Sequence, residues 1–121
     1  MSNKKTLVIG ASSNPDQYSH MAVRKLMQQG HDVVAIGKEP FIIGSVHVVA
    51  LPEPFEQVHT VTLYMNPNRQ KNYIDYIISL HPKRVIFNPG AENPPFANRL
   101  NLEGIEAIEA CTLVMLSTGT Y

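Results

Sequence analysis

Two short segments of this chain carry the residue types that hold a phosphate. In Gly10-Ala11-Ser12-Ser13 the glycine lets the backbone approach an anion closely, and two hydroxyls can donate to phosphate oxygens. Turn formers follow as Asn14, Pro15 and Asp16. Apolar residues then return at helical spacing as Tyr18, Met21, Ala22, Leu26 and Met27. A helix starting there aims its free amides and the positive end of its dipole at the same place. The second segment is the turn-rich loop Asn88-Pro89-Gly90-Ala91-Glu92-Asn93. A plainer reading is that Gly10 ends a strand and the serines only make a turn, because a full Gly-x-Gly-x-x-Gly is absent.

The end of the second strand is the next discriminator. A dinucleotide fold that selects NAD places an acid there for the ribose hydroxyls, whereas this chain has Gly37-Lys38, with Glu39 beside them. A lysine suits a ribose phosphate, as in coenzyme A or NADP, although lysines on surface loops are commonly just solvated.

Other chemistry is hard to assemble. His20, His31, His47, His59 and His81 fall on separate elements without a two-ligand spacing, so no metal is expected. Cys111 is expected to be a buried, inert thiol near the crevice. Glu92 is the one acid in the second loop, with neither a partner acid nor a nucleophile. No catalytic residues are therefore assigned, and binding without catalysis is the expectation.

The elements that must position these loops alternate. Thr6-Leu7-Val8-Ile9 reads as a buried strand, a helix follows and ends at Gly30, and Asp32-Val33-Val34-Ala35-Ile36 is a second strand. The stretch 41–54 is irregular, with a short extended piece at Val46-His47-Val48-Val49. Thr60-Val61-Thr62-Leu63-Tyr64 reads as the third strand. Asn66-Pro67 starts a helix whose apolar face is Tyr73, Ile74, Ile77 and Ile78 and which stops at His81-Pro82. Arg84-Val85-Ile86-Phe87 is the fourth strand, 96–102 a short helix, and Gly104-Ile105-Glu106-Ala107-Ile108 the fifth strand. The expected fold is a three-layer α/β domain of Rossmann type over residues 1–121. Its parallel five-stranded sheet would have the order 3-2-1-4-5, with helices on both faces. In such a sheet the ligand lies beyond the carboxyl ends of the strands at the switch point, here expected between strands one and four.

The totals agree with a single soluble unit. Ten basic and ten acidic residues cancel, so no net field draws the chain to nucleic acid or an anionic membrane. No apolar run approaches a membrane span, and Met1-Ser2-Asn3-Lys4-Lys5 leads into a strand rather than a signal-peptide core. A single cysteine fits a reducing compartment, so a cytoplasmic location is expected. The apolar run 112–116 could supply a homodimer contact.

Taken in order, Val8-Ile9-Gly10-Ala11-Ser12-Ser13-Asn14-Pro15-Asp16, Gly44-Ser45-Val46, Asn88-Pro89-Gly90-Ala91-Glu92-Asn93 and Cys111 resemble the small CoA-binding domain proteins. These are similar to the amino-terminal CoA-binding domain of succinyl-CoA synthetase alpha subunits. The resemblance implies that Gly10, Ala11, Ser12 and Ser13 line the phosphates of coenzyme A or an acyl-CoA, that Lys38 lies by the nucleotide, and that residues 89–93 form the opposite wall. The chain departs from the pattern at Gly37-Lys38, at Met65-Asn66 where basic residues are common, and at Ala110 where an arginine is usual. Fewer positive charges imply an altered ligand preference. The alternatives left open are a small NADP- or nucleotide-dependent enzyme using the same crevice, and an interaction module with no ligand.

Overall fold

The computed structural model describes residues 3–121; Met1 and Ser2, on which part of the reading of the amino terminus falls, lie outside the described residues. In chain order the elements are β1 (Thr6–Ala11), α1 (Tyr18–Gln28), β2 (Val33–Gly37), β3 (Phe41–Ile43), β4 (Val46–Val49) and β5 (Thr60–Leu63). There follow α2 (Pro67–Gln70), α3 (Ile74–Ser79), β6 (Arg84–Phe87), α4 (Pro94–Leu102), β7 (Glu106–Glu109) and α5 (Thr112–Thr118). One seven-stranded sheet has the order β3-β4-β2-β1-β5-β6-β7. Every neighbouring pair is parallel except β3 and β4.

The α/β Rossmann-like architecture matches the sequence expectation, but the five-stranded sheet does not. Two short strands extend one edge. β3 and β4 form a hairpin across Gly44-Ser45, with Gly44 at φ 58°, so the position beside β2 is reached by a two-residue turn. With β4 in that place, Thr60–Leu63 crosses to the other side of β1 and pairs Thr6 with Thr60. It is therefore β1's neighbour, not the strand beside β2 that the order 3-2-1-4-5 required of a third strand. The helix expected after Asn66-Pro67 is also divided. Asn66 caps α2 by accepting from the Arg69 amide, the chain turns at residues 71–73, and α3 begins at Ile74.

Side-chain alternation along the strands builds two cores. Leu7, Ile9, Val61, Leu63, Val85 and Phe87 face one side, where Ile77 of α3 and Phe96 and Leu100 of α4 cover them. Val8, Ala35, Val48 and Ile86 face the other, against Val23 and Leu26 of α1 and Leu116 of α5. Both faces of β1 and β5 are buried, which is why these segments read as continuous apolar or threonine-rich runs rather than alternating ones. Truncating a fully buried bridge such as Leu26 to alanine would cost about 2–5 kcal/mol. The run 112–116 is α5, and its Thr112 and Leu116 are buried inside the molecule, leaving Val114 exposed. Among the described residues no helix is long and apolar enough to cross a membrane.

Candidate functional site

The carboxyl ends of β2, β1, β5 and β6 open into one cavity of about 810 Å³, well within the size of small-molecule sites. Its floor is the β1–α1 loop. Gly10 is the extra residue of a β-bulge: Ile9 pairs with Ile36 and Ala11 with Gly37, so one more residue stands on β1 than on β2. Its φ is 97°, and a Cβ there would lie 2.8 Å from the carbonyl oxygen of Tyr64. Gly37 is equally confined, with a Cβ position 2.7 Å from the Ala11 carbonyl oxygen. Both glycines thus let strand ends pack against each other, so the close approach at Gly10 serves the protein's own backbone as well as any ligand.

Beyond the bulge the loop organises itself. The Asn14 amide donates to Ser12 Oγ (3.1 Å), the Asp16 amide to Asn14 Oδ1 (2.9 Å) and the Gln17 amide to the Asn14 carbonyl (3.0 Å). Ser12 Oγ acts as an acceptor, so its own hydrogen stays free to donate. Gln17 stands at the N-cap of α1 without a side-chain cap, and no acid lies in the first turn, so the helix presents uncapped amides to the cavity. His20, 4% exposed, ties the loop to the helix. Arg24 Nε donates to His20 Nε2 (3.0 Å), which assigns the ring hydrogen to Nδ1, and Nδ1 then donates to the Ser12 carbonyl (2.8 Å). The sequence offered one signal for this residue, a histidine two positions into the helix that follows the loop.

Of the residues singled out from the sequence, Gly10, Ala11, Ser12, Ser13, Gly37, Lys38, Pro89, Gly90 and Ala91 line the cavity. Asn88, Glu92 and Asn93 do not, because their polar groups are engaged elsewhere. Buried Asn88 clamps strands to helix, donating to Thr62 Oγ1 (2.7 Å) and the Leu63 carbonyl (2.9 Å) while accepting from the Thr112 amide (2.9 Å). Glu92 accepts from the Gly90 amide (2.8 Å) and holds the turn. Asn93 caps α4 and donates to Gln70 Oε1 (2.8 Å). Cys111 is half-buried at the N-cap of α5 and outside the cavity lining.

Because β5 rather than β6 adjoins β1, a wall enters the site at Met65-Asn66, which the family resemblance had singled out, together with Tyr64, Arg69 and Tyr73, which it had not. Gln70 fixes this wall. Fully buried, it donates from Nε2 to the carbonyls of Met65 (2.9 Å) and Ala91 (2.7 Å), joining the loops after β5 and β6. Burial, opposed by the nearby Thr112 and Thr62 hydroxyls, pushes the Tyr64 phenol up to about 12. Its hydroxyl is buried without a hydrogen-bond partner within normal distance. The charges around the cavity balance, Lys38 and Arg69 against Asp16 and Glu39. Attraction for an anion therefore comes chiefly from backbone amides, hydroxyls and the dipole of α1.

A Rossmann-like sheet with this loop at its switch point defines a class of nucleotide-handling folds. Within that class the chain belongs to the CoA-binding domain family, whose sequence pattern matches residues 4–117. Membership supports a role in binding coenzyme A in general. The crystal structure of an uncharacterized protein is 41% identical, with a TM-score of 0.96 and 100% of both chains covered. A Thermus thermophilus protein is 23% identical, with a TM-score of 0.81 over 98% of this chain and 91% of that one. The acetyl-coenzyme A synthetase 1 of Ca. Korarchaeum cryptofilum, described as dinucleotide forming and in complex with phosphate and ADP, is 14% identical with a TM-score of 0.69. It matches over 88% of this chain but 25% of its own length, and at such identity the likeness concerns the fold alone. No curated protein matches the chain.

Proposed function

We propose that the protein binds coenzyme A or an acyl-CoA in this cavity as a single cytoplasmic binding unit, without catalysing a reaction itself. The observation that carries the reading is the meeting on one cavity of the bulged β1–α1 loop, Lys38 at the end of β2, and the turn Pro89-Gly90-Ala91. The diphosphate would lie on the amides and hydroxyls of residues 10–13 and the first turn of α1, where a fixed dipole meets negative charge. Exposed Lys38 would meet the ribose phosphate at the rim. Serines and acids line the cavity, but among the described residues no hydrogen bond pairs a lining hydroxyl with a carboxylate or imidazole, so no turnover of acyl-CoA is expected.

A thermal-shift series over coenzyme A, acetyl-CoA, NADPH, NAD and ATP tests this. Coenzyme A at a hundredfold excess over its dissociation constant should add about 2.7 kcal/mol and raise the melting temperature, whereas NAD should not. A response to NADPH alone would favour the NADP-dependent enzyme, and a flat response to every CoA species would overturn the proposal. Lys38→Ala sharpens it: coenzyme A should lose affinity several-fold, about 1–2 kcal/mol, and dephospho-coenzyme A much less. Equal losses would move Lys38 away from the ribose phosphate.

A further inference from the structure

The cavity has two halves of different chemistry. On the β2 side Lys38 stands beside Glu39, with Asp16 on the adjoining loop. On the β5 side the lining is Tyr64, Met65, Tyr73 and the turn at Gly90, and the one charged residue there is Arg69. Among the described residues the single acid–base ion pair joins Arg99 to Asp75, so the exposed Arg69 guanidinium has no acidic partner. Its backbone, by contrast, is held. The Arg69 amide donates to the Asn66 cap (3.0 Å), and the next residue, Gln70, is fully buried and bonded to both neighbouring loops. An unpaired guanidinium on a fixed backbone, beside an aromatic and apolar wall, favours an anionic ligand group that it can grip with two parallel donors.

The identity of that group follows from where the ligand's own charges lie, and here the inference rests on the coenzyme A reading. With the diphosphate on residues 10–13 and the ribose phosphate by Lys38, all phosphates occupy the β1–β2 side. What crosses to the β5 side is the pantetheine arm and whatever acyl group it carries, uncharged unless the acyl group is itself an acid. We propose that Arg69 selects acyl-CoA thioesters whose acyl chain ends in a carboxylate. Lys38 and Arg69 then grip opposite ends of one long ligand, and a neutral acyl group leaves Arg69 to water.

Calorimetric titration of the intact protein with malonyl-CoA, glutaryl-CoA, isovaleryl-CoA and coenzyme A tests this. Isovaleryl replaces the malonyl carboxylate by a branched methyl pair of similar shape, and the two diacids bracket the chain length. The better-fitting diacid ester should bind about tenfold more tightly than isovaleryl-CoA, with a difference that shrinks at high salt. In Arg69→Gln that ratio should fall to near one, and Arg69→Lys should keep part of it because the charge remains without the fork. Equal affinities for the diacid and isovaleryl esters in the unmodified protein would overturn the inference while leaving coenzyme A binding intact. A uniform loss for all four ligands in Arg69→Gln would also overturn it, by placing Arg69 on the diphosphate. Failure of all four to bind would instead remove the coenzyme A reading, and this inference with it.

Discussion

The two ends of the sheet handle positive charge in opposite ways. At the carboxyl end Lys38 and Arg69 are exposed on the cavity and neither has an acidic partner among the described residues. At the amino end Lys4 and Arg84 are folded around Tyr121. Lys4 Nζ donates to the Tyr121 carbonyl, Arg84 Nε donates to Thr60 Oγ1 (2.8 Å), and the Arg84 guanidinium lies 4.4 Å from the Tyr121 ring centroid. Thr6 Oγ1 donates to the Lys4 carbonyl (2.8 Å) and so accepts from the Tyr121 hydroxyl, and the ring of His31 packs 5.1 Å away. Here the cations are engaged by internal partners, although the Arg84 Nη2 is buried without one. Cations left open on a preorganised backbone are available to a ligand. The difference separates a structural pole from the proposed binding pole even though the sequence distributes its lysines and arginines to both.

The largest effect that could break this division is at Gly10. Gly10→Val places a side chain 2.8 Å from the Tyr64 carbonyl oxygen at a φ of 97°, and should destabilise the fold by about 3 kcal/mol or more. Gly90, with a φ of 92°, has nothing within 4 Å of its Cβ position, so Gly90→Ala should cost only about 1 kcal/mol. Urea unfolding of the two variants checks the contrast; equal midpoints would mean that the bulge does not pack as described. Loss of ligand in Gly10→Val follows from loss of fold, so the rim residue Lys38 is the better probe of the proposed phosphate site.

A smaller, two-sided comparison comes next. Gln70→Ala leaves the Met65 and Ala91 carbonyls and the Asn93 amide without partners. It should cost about 2–3 kcal/mol and also weaken coenzyme A, because both loops of the β5–β6 wall lose their link. Arg84→Met should cost about 1–2 kcal/mol through the Tyr121 ring and Thr60, with ligand affinity unchanged. Affinity falling in both variants alike would end the distinction between the poles.

The alkaline response spans both poles, since burial raises the phenols of Tyr64, Tyr121 and Tyr76, whereas the acid response belongs to the structural pole. Tyr64, at the binding pole, ionises near 10.0 when unfolded and at about 12 when folded, so the folded state keeps the proton that the unfolded state has lost. The contribution of Tyr64 should be flat below pH 10.0 and fall by roughly 2 to 3 kcal/mol towards pH 12. Tyr64→Phe should remove its share of that fall, leaving the shares of Tyr121 and Tyr76, while changing neutral-pH stability little, because the buried hydroxyl has no partner to lose. At the structural pole burial first, then the charges of Lys4 and Arg84, hold His31 below its ordinary value. His59 is held down by burial and then by Arg84, Lys4 and Lys83. The unfolded chain therefore binds more protons below pH 6.5, and stability present above that pH should be lost as pH falls through the lowered folded values. Replacing both histidines with glutamine should remove this slope in acid melting curves, the weakest of the expected effects because both side chains are half-buried rather than enclosed.

Much of the site was readable before the structure because its demands are local. Gly10, Ser12 and Ser13 before a helix, and Pro89-Gly90-Ala91 after a strand, declare themselves through turn chemistry and the change of apolar period. Asn88, Glu92 and Asn93 read as ligand contacts for the same reason, since polar residues in a turn look alike whether they face solvent, a ligand or the interior. The Phe41–Ile43 strand escaped notice because a three-residue edge between Pro40 and Gly44 leaves no period to detect.

The chain's own order of residues thus determined the alternation of strands and helices, the burial of β1 on both faces, and the loop that presents uncapped helix amides, because each depends on neighbours within a few positions. Only the tertiary structure decided which strand lies beside β1. Strand order depends on crossovers between segments tens of residues apart, and a two-residue hairpin at Gly44-Ser45 was enough to move Thr60–Leu63 across the sheet. That one pairing brought Tyr64, Arg69 and Gln70 to the site and fixed Gly10 against the Tyr64 carbonyl, contacts made across the sheet that no local spacing encodes.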